Sequence, residues 1–327
     1  MIKPGGSIAA VSAPTQPVEP HAFELGRELT GDGCFVRQES AFRRWVTADG
    51  SSGFPAAAHR YHLYVCLACP WSHRTVIGRM LKGLEDVISL SNADPYRDAH
   101  GWAFPGGAFV DQVNGFRFLS EAYLLTDPAF AERLTLPVLW DTETGQNVSN
   151  ESGVILRMLG GAFDAFAEHD VDLYPAADRR EIDELNETVY AGLNNAVYEA
   201  GFSTSQAAYE QACDRVFRTL DSLEERLGST RYLVDDTPTE ADWRLFPTLV
   251  RFDTVYYSHF KCNRRRVVDY PNLWAYTRDL YQLPGIAGTV AMDEIKRHYY
   301  TTHDMLNPSR IIPAGPDLDF SAPHGRG

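Results

Sequence analysis

The sequence has few positive charges and no long apolar run. A membrane-spanning helix needs about 20 apolar residues, and no such run occurs in the 327 residues. Lysine and arginine number 30 against 44 acidic residues, which gives a net charge of -14. Nucleic-acid surfaces need clustered basic side chains, so we expect neither a nucleic acid nor a membrane as partner. The N-terminus also lacks the continuous apolar stretch of a signal peptide, which favours a cytoplasmic location.

Cysteine is scarce as well. The five cysteines are odd in number and irregular in spacing, unlike the paired cysteines of a disulfide framework. Reduced thiols are therefore expected. Cys213 lies within a helical apolar pattern and is predicted to belong to the core.

The pattern of predicted elements divides the chain into four parts. Residues 1–58 are predicted to form a largely irregular extension that wraps the surface. Residues 59–165 follow the order strand, helix, strand, hairpin, helix, which is typical of a thioredoxin-like α/β domain. Residues 175–306 are predicted to be all-helical, and residues 307–327 form a tail rich in proline and glycine. Within the second part, residues 93–133 show no clear periodicity and are expected to lack regular structure.

Cys69 stands where the first strand pattern gives way to a helix. Pro70 follows it at the first helical position, where a missing N–H costs nothing. The unpaired N–H groups and partial positive charge of a helix start stabilise a thiolate. His73 and Arg74, one turn further on, could add positive potential. We therefore favour a reactive Cys69 over a purely structural cap.

Two other uses of this cysteine are less consistent with the pattern. The spacing Cys66-x-x-Cys69 suggests a dithiol, but the position three residues after Cys69, where dithiol enzymes place the second thiol, is Ser72. The site is therefore expected to act through one thiol, with an external thiol resolving its mixed disulfides. A zinc site built from Cys66, Cys69 and His73 lacks a fourth ligand at suitable spacing.

Further candidates follow from the thioredoxin-like order. Pro137 opens a strand at the position where such domains hold a cis proline facing the cysteine, which leaves the backbone of Leu136 able to pair with an extended ligand. Glu151 and Ser152 fall at the start of the next helix, with Ser149 or Asn150 as its cap. They could hold an ammonium group and a carboxylate, although Glu151 could equally serve as a partner of the helix dipole.

The segments "CPWSHR", "LTLPVLWD" and "NVSNES", followed by a helical half, resemble the glutathione transferase superfamily. With "NNAVYEAGF", "LVRFDTVYYSHFKCN" and "HYYTTH", the chain is most similar to its xi class, the glutathionyl-hydroquinone reductases. The resemblance implies glutathione as co-substrate, quinone or hydroquinone conjugates as the other substrate, no metal, and a homodimer. Cys66 and Ser72 depart from the family pattern, which more often has a small non-thiol residue and alanine there.

The same resemblance assigns roles to residues that periodicity alone would leave as packing residues. It makes Cys69 the redox-active cysteine, with Tyr198 and Tyr299 as further catalytic residues. Residues matching the glutathione contacts are Trp102, Arg133, Leu136, Glu151 and Ser152, while Tyr256 joins the other two tyrosines around the aromatic substrate. A conjugating transferase, an enzyme using another small thiol and a non-catalytic interaction module remain as alternatives.

Overall fold

The computed structural model describes residues 23–327, and its first half is built on a four-stranded sheet. The strands are β1 (Tyr61–Val65), β2 (Ser89–Asn92), β3 (Val138–Asp141) and β4 (Gln146–Ser149), in the order β2-β1-β3-β4. β2 runs parallel to β1, whereas β3 and β4 are antiparallel to their neighbours. These are the four strands that the sequence predicts.

Nine α-helices accompany the sheet within residues 23–327. The first half contains α1 (Pro70–Leu81), α2 (Leu119–Thr126) and α3 (Ser152–Gly161). The second half is helical, with α4 (Arg179–Val189), α5 (Ala196–Phe202), α6 (Gln206–Leu227), α7 (Glu240–Arg251), α8 (Pro271–Gln282) and α9 (Met292–Thr302). None of these helices is long and apolar enough to cross a membrane.

The side chains of β1 explain how the two halves share a core. Tyr61, Leu63 and Val65 alternate along the strand and pack in one cluster with residues of α3, as the two-residue period of a strand requires. Tyr64 faces the opposite side and belongs to the larger cluster that continues into the helical half. All five residues of β1 are buried, so the strand is covered on both faces.

Two local predictions were wrong. Residues 93–133 do contain regular structure, because α2 lies within them; only Leu119, Ala122 and Tyr123 of this helix are buried, which is too short a pattern to recognise. The cap of α3 is Glu151 itself, whose carboxylate accepts a hydrogen bond from the Val154 N–H at 2.7 Å, rather than Ser149 or Asn150.

Residues 23–58 of the N-terminal extension cover one edge of the sheet. The Arg44 N–H donates to the Val148 carbonyl at 3.0 Å, and the Asn150 N–H donates to the Phe42 carbonyl at 3.0 Å. These bonds satisfy backbone groups of an edge strand that would otherwise be free to pair with another chain. The expected surface-wrapping arm is seen for this part of the extension, while residues 1–22 lie outside the described residues.

Candidate active site

Cys69 occupies the N-cap position of α1, with Pro70 as the first helical residue, as predicted. Its side chain makes no capping hydrogen bond, so the thiol does not cap the helix. The sulfur lies 3.7 Å from the carbonyl oxygen of Leu136. Leu136 precedes Pro137 through a cis peptide bond, which is the expected arrangement opposite the cysteine.

The loop that presents Cys69 is held from the helical half by Arg251, at the end of α7. Its guanidinium is fully buried and donates to the carbonyls of Leu67, at 2.9 Å, and Ala68, at 3.1 Å. It also lies 3.0 Å from Nδ1 of His73. Since these bonds join the two halves directly beside the thiol, Arg251 positions the loop before α1.

The polar groups around Cys69 differ from the sequence-based expectation. Burial and the charge of Arg251 lower the pKa of His73 well below its usual value, so its ring is neutral and adds no positive potential. Both ring nitrogens are occupied, by Arg251 and by the Thr289 hydroxyl, which removes His73 as a zinc ligand. Arg74 stays charged at neutral pH, although burial lowers its pKa to about 9.

Cys66 is unsuited to act as a second nucleophile. It is fully buried, and that burial, followed by the proximity of Cys69, raises its pKa well above the usual value for a thiol. Its backbone N–H donates to the Ser72 hydroxyl at 3.3 Å. Ser72 therefore stabilises the turn before α1 instead of supplying a resolving thiol.

The thiol of Cys69 faces a small cavity between the two halves. Predicted site residues from both halves line it, namely Cys69, Trp102, Arg133, Leu136, Tyr198 and Tyr299. Its volume is about 40 Å³, which is room for a few water molecules. An adjoining cavity of about 310 Å³ is lined by Leu136, Pro137, Glu151 and Ser152, so the predicted residues are divided between two neighbouring spaces.

The three predicted tyrosines form a hydrogen-bonded group. The Tyr299 hydroxyl lies 2.5 Å from that of Tyr198 and 3.1 Å from that of Tyr256. Burial raises the pKa of all three phenols, so they remain protonated and able to donate at neutral pH. Tyr198 and Tyr299 line the cavity, whereas Tyr256 is fully buried and reaches it through its bond to Tyr299.

Arg133 already has a carboxylate partner from the N-terminal extension. Its Nη1 lies 2.7 Å from both carboxylate oxygens of Glu28, and the two side chains are 11% and 5% exposed. The ring centroid of Phe23 lies 4.7 Å from the Arg133 guanidinium carbon. The arm thus fills part of the cavity in which Arg133 is predicted to hold a ligand.

Comparison with known proteins agrees with this geometry. The family models described as the glutathione S-transferase N-terminal and C-terminal domains match residues 68–162 and 206–279. A xi-class transferase structure from Natrialba magadii superposes with a TM-score of 0.86 at 50% identity, covering 87% of this chain and 88% of that one. The chain belongs to the xi class of the glutathione transferase family.

Two relatives of this xi-class protein are named glutathionyl-hydroquinone reductases. YqjG of Escherichia coli is 50% identical over 303 residues, covering 90% of this chain and 92% of the relative. PcpF of Sphingobium chlorophenolicum is 48% identical, covering 87% and 90%. The glutathione-bound structure of YqjG superposes with a TM-score of 0.85 and covers 87% of this chain and 96% of that one.

Sequence reasoning missed two residues of this candidate site. Arg251 is 183 and 184 positions away from the two residues whose carbonyls it binds, and Glu28 is separated from Arg133 by 105 positions. Nothing in the local pattern around either residue signals these contacts. One signal for Arg251 was present, because this arginine interrupts the apolar pattern of "LVRFDTVYY". A charged residue on a buried helix face almost always has polar partners, so the pattern indicates that Arg251 binds something.

Proposed function

We propose that the protein reduces glutathionyl-hydroquinones to hydroquinones, with glutathione as the reductant and Cys69 as the nucleophile. The observation that carries this proposal is the position of the Cys69 thiol. It lies at the start of a helix without capping it, and it faces a cavity lined by aromatic residues. The similarity to two named reductases over about nine-tenths of the chain supports the substrate class.

The first half-reaction transfers glutathione to the enzyme. The Cys69 thiolate attacks the sulfur of the conjugate, so a sulfur–sulfur bond forms and the bond between sulfur and ring carbon breaks. The electron pair of the broken bond stays on the ring carbon, which takes up a proton and leaves as part of the hydroquinone. Tyr198 or Tyr299, protonated because burial raises the pKa of each, hydrogen-bonds the ring oxygens and supplies that proton.

The second half-reaction restores the thiolate. A second glutathione attacks the mixed disulfide on Cys69 and leaves as glutathione disulfide. The ring carbon has been reduced by two electrons, and two glutathione sulfurs have been oxidised to one disulfide. Because Cys66 is buried and its pKa is raised, the external glutathione resolves the disulfide rather than a second protein thiol.

The remaining assignments rest on the family resemblance and on placement. We infer that Trp102, Arg133 and Leu136 hold glutathione on the Cys69 side, and that Glu151 and Ser152 hold its other end in the adjoining cavity. Their two spaces meet at Leu136, next to the sulfur of Cys69. A homodimer and a cytoplasmic location also stay predictions, and light scattering of the purified protein tests the first.

A Cys69→Ser variant tests the proposed function, with Cys66→Ser as the matched control. Turnover of a glutathionyl-hydroquinone should fall by at least about a thousand-fold in Cys69→Ser, because a hydroxyl is too weakly acidic to replace a thiolate. Cys66→Ser should keep turnover within a few-fold of the parent. Intact mass after treatment with glutathione disulfide should show one removable glutathione adduct in the parent and in Cys66→Ser, and none in Cys69→Ser. Sustained turnover by Cys69→Ser would refute the mechanism.

A further inference from the structure

Arg97 lines the cavity beside Cys69 and has no role in the proposed mechanism. Its guanidinium carbon lies 5.4 Å from the ring centroid of Trp102 and 5.2 Å from that of Phe23. Within residues 23–327 these aromatic faces are its partners, and no carboxylate lies at ion-pair distance. Burial, followed by the charge of Arg133, lowers its pKa to about 9, so it is a charged group without a counter-ion of its own at neutral pH.

Arg133 adjoins Arg97 and also has unused donor capacity. It binds both oxygens of Glu28 through one nitrogen, Nη1, instead of the two-nitrogen fork that arginine uses with most carboxylates. Its Nε is buried and has no hydrogen-bond partner in the part of the chain that the structure describes. Two guanidinium groups thus face one carboxylate, and both retain free N–H donors.

We propose that Arg97 and Arg133 together form a carboxylate-binding site, in which Glu28 of the N-terminal extension holds the place of a ligand carboxylate. The inference deepens the proposed function, since glutathione itself carries carboxylates. The incoming group is either the glycyl carboxylate of glutathione or an acidic substituent on the aromatic ring. Both present the same chemistry to the two guanidinium groups.

The cavity beside Cys69 is too small for a ligand while the N-terminal arm occupies it. With Phe23 and Glu28 in place the space beside Cys69 measures about 40 Å³, against roughly 300–1,000 Å³ for small-molecule sites in general. A ligand that contacts both Cys69 and Arg133 must therefore displace Glu28 from Arg133. A ligand carboxylate that replaces the Glu28 carboxylate keeps one negative charge beside the two guanidinium groups, so Arg133 is not left without a charged partner.

Substitutions of Arg97 and Glu28 test the proposal, because they should change the affinity for glutathione in opposite directions. The Kd of reduced glutathione is measured by calorimetry. Arg97→Met keeps the apolar stem against Trp102 and removes the charge, so it should raise the Kd by about ten- to a hundred-fold, the value of a charge-assisted hydrogen bond. Glu28→Gln removes the internal competitor and should lower the Kd several-fold. Arg117→Met, an exposed arginine in the same insertion, is the matched control and should leave the Kd unchanged.

The source of the carboxylate is decided by two further probes. Glutathione blocked as its glycyl ethyl ester should bind the parent and Arg97→Met equally if Arg97 takes the glycyl group. A conjugate whose ring bears a carboxylate should lose its advantage over the plain conjugate in Arg97→Met if Arg97 takes the ring group. Either pattern supports the site. Should Arg97→Met fail to fold, Arg97→Lys keeps a charge without the planar fork and should show a smaller loss in the same direction.

Binding and turnover separate this inference from the proposed function. If the parent turns over no glutathionyl-hydroquinone but Arg97→Met weakens glutathione binding, the proposed function fails while the carboxylate site stands. Wild-type Kd values for every probe in Arg97→Met would overturn the carboxylate site. An unchanged Kd in Glu28→Gln would overturn the role of Glu28 as the internal occupant.

Discussion

Replacing Arg251 with methionine tests whether the helical half holds the cysteine loop in place. The side chain is fully buried, and its guanidinium binds the carbonyls of Leu67 and Ala68. Within residues 23–327 these two carbonyls have no other hydrogen-bond partner. Methionine fills a similar volume but donates nothing, so the buried carbonyl of Ala68 and the part-buried carbonyl of Leu67 would both lose their partner.

The magnitude follows from the cost of those groups. An unsatisfied buried polar group costs about 1–3 kcal/mol, which applies in full to the Ala68 carbonyl and in part to the less buried Leu67 carbonyl. Removing a buried charge returns part of this, because the guanidinium of Arg251 no longer has to be desolvated. We expect Arg251→Met to lower the free energy of unfolding by about 2–4 kcal/mol.

Arg251→Met should also slow the reaction of Cys69, because the loop that carries the thiol would no longer be held in place. A loop displaced by about 1 Å costs on the order of a hundred-fold in rate, so kcat/KM for a glutathionyl-hydroquinone should fall at least ten-fold under conditions where the variant is folded. Urea unfolding measures the stability, steady-state kinetics measure turnover, and the rate of Cys69 alkylation at fixed pH reports the position of the thiol independently of substrate.

Two controls bracket this result. Arg251→Lys keeps the charge and reaches fewer carbonyls, so it should fall between the parent and Arg251→Met. Arg218→Met removes an exposed arginine from α6 and should change stability by less than about 0.5 kcal/mol. If Arg251→Met unfolds at the urea concentration of the parent and keeps its alkylation rate, the positioning role is wrong.

Two further predictions concern packing and pH. A methyl group on Gly201 would overlap the ring of Phe260, so Gly201→Ala should lower the free energy of unfolding by about 1–3 kcal/mol, whereas Gly161→Ala, which meets nothing within 4 Å, should be neutral or slightly stabilising. Denaturant unfolding of the pair checks this, and equal stability of the two variants would contradict it. Burial lowers the pKa of three histidines to about 4, 4 and 3, namely His62, His259 and His298. The folded state holds these three histidines in their neutral forms. The free energy of unfolding should therefore be highest above pH about 6.5, the pKa of histidine in the unfolded chain, and should decrease as the pH falls from there to about 4. His62→Gln should remove about 3 kcal/mol of that decrease in urea titrations at a series of pH values. An unchanged slope in His62→Gln would show that the burial of His62 does not control the pH dependence.

The sequence predicted most of the α/β half correctly because its signals are local. Apolar and β-branched residues within five or six positions predict a strand, and a proline in the first turn predicts the start of a helix. Cys69 and Pro70 carried both signals at one point. The same locality explains the failure at α2, since a helix that buries three residues leaves no period to detect.

In the helical half, local signals identified the helices but not their interruptions. Asp242 closes a capping box with Thr239 at the start of α7, and the two residues lie three positions apart along the chain. Between α4 and α5, for example, a π-helical turn at Tyr190–Asn194 interrupts the α-helical hydrogen bonding. That turn inserts one extra residue into the helical hydrogen-bond pattern. The residue types in this segment give no sign of the insertion.

The sequence by itself determined where the proposed nucleophile lies, since the chemistry of a thiol at a helix start depends on its immediate neighbours. Only the tertiary structure decided what surrounds it. Arg251 reaches the cysteine loop from the far half of the chain, and Glu28 reaches Arg133 from the N-terminal arm. These contacts come from the packing of distant elements, and the strength of a buried charge interaction depends on the distance and the exclusion of water that packing creates. Neither quantity is encoded in the residues adjacent to those charges along the chain.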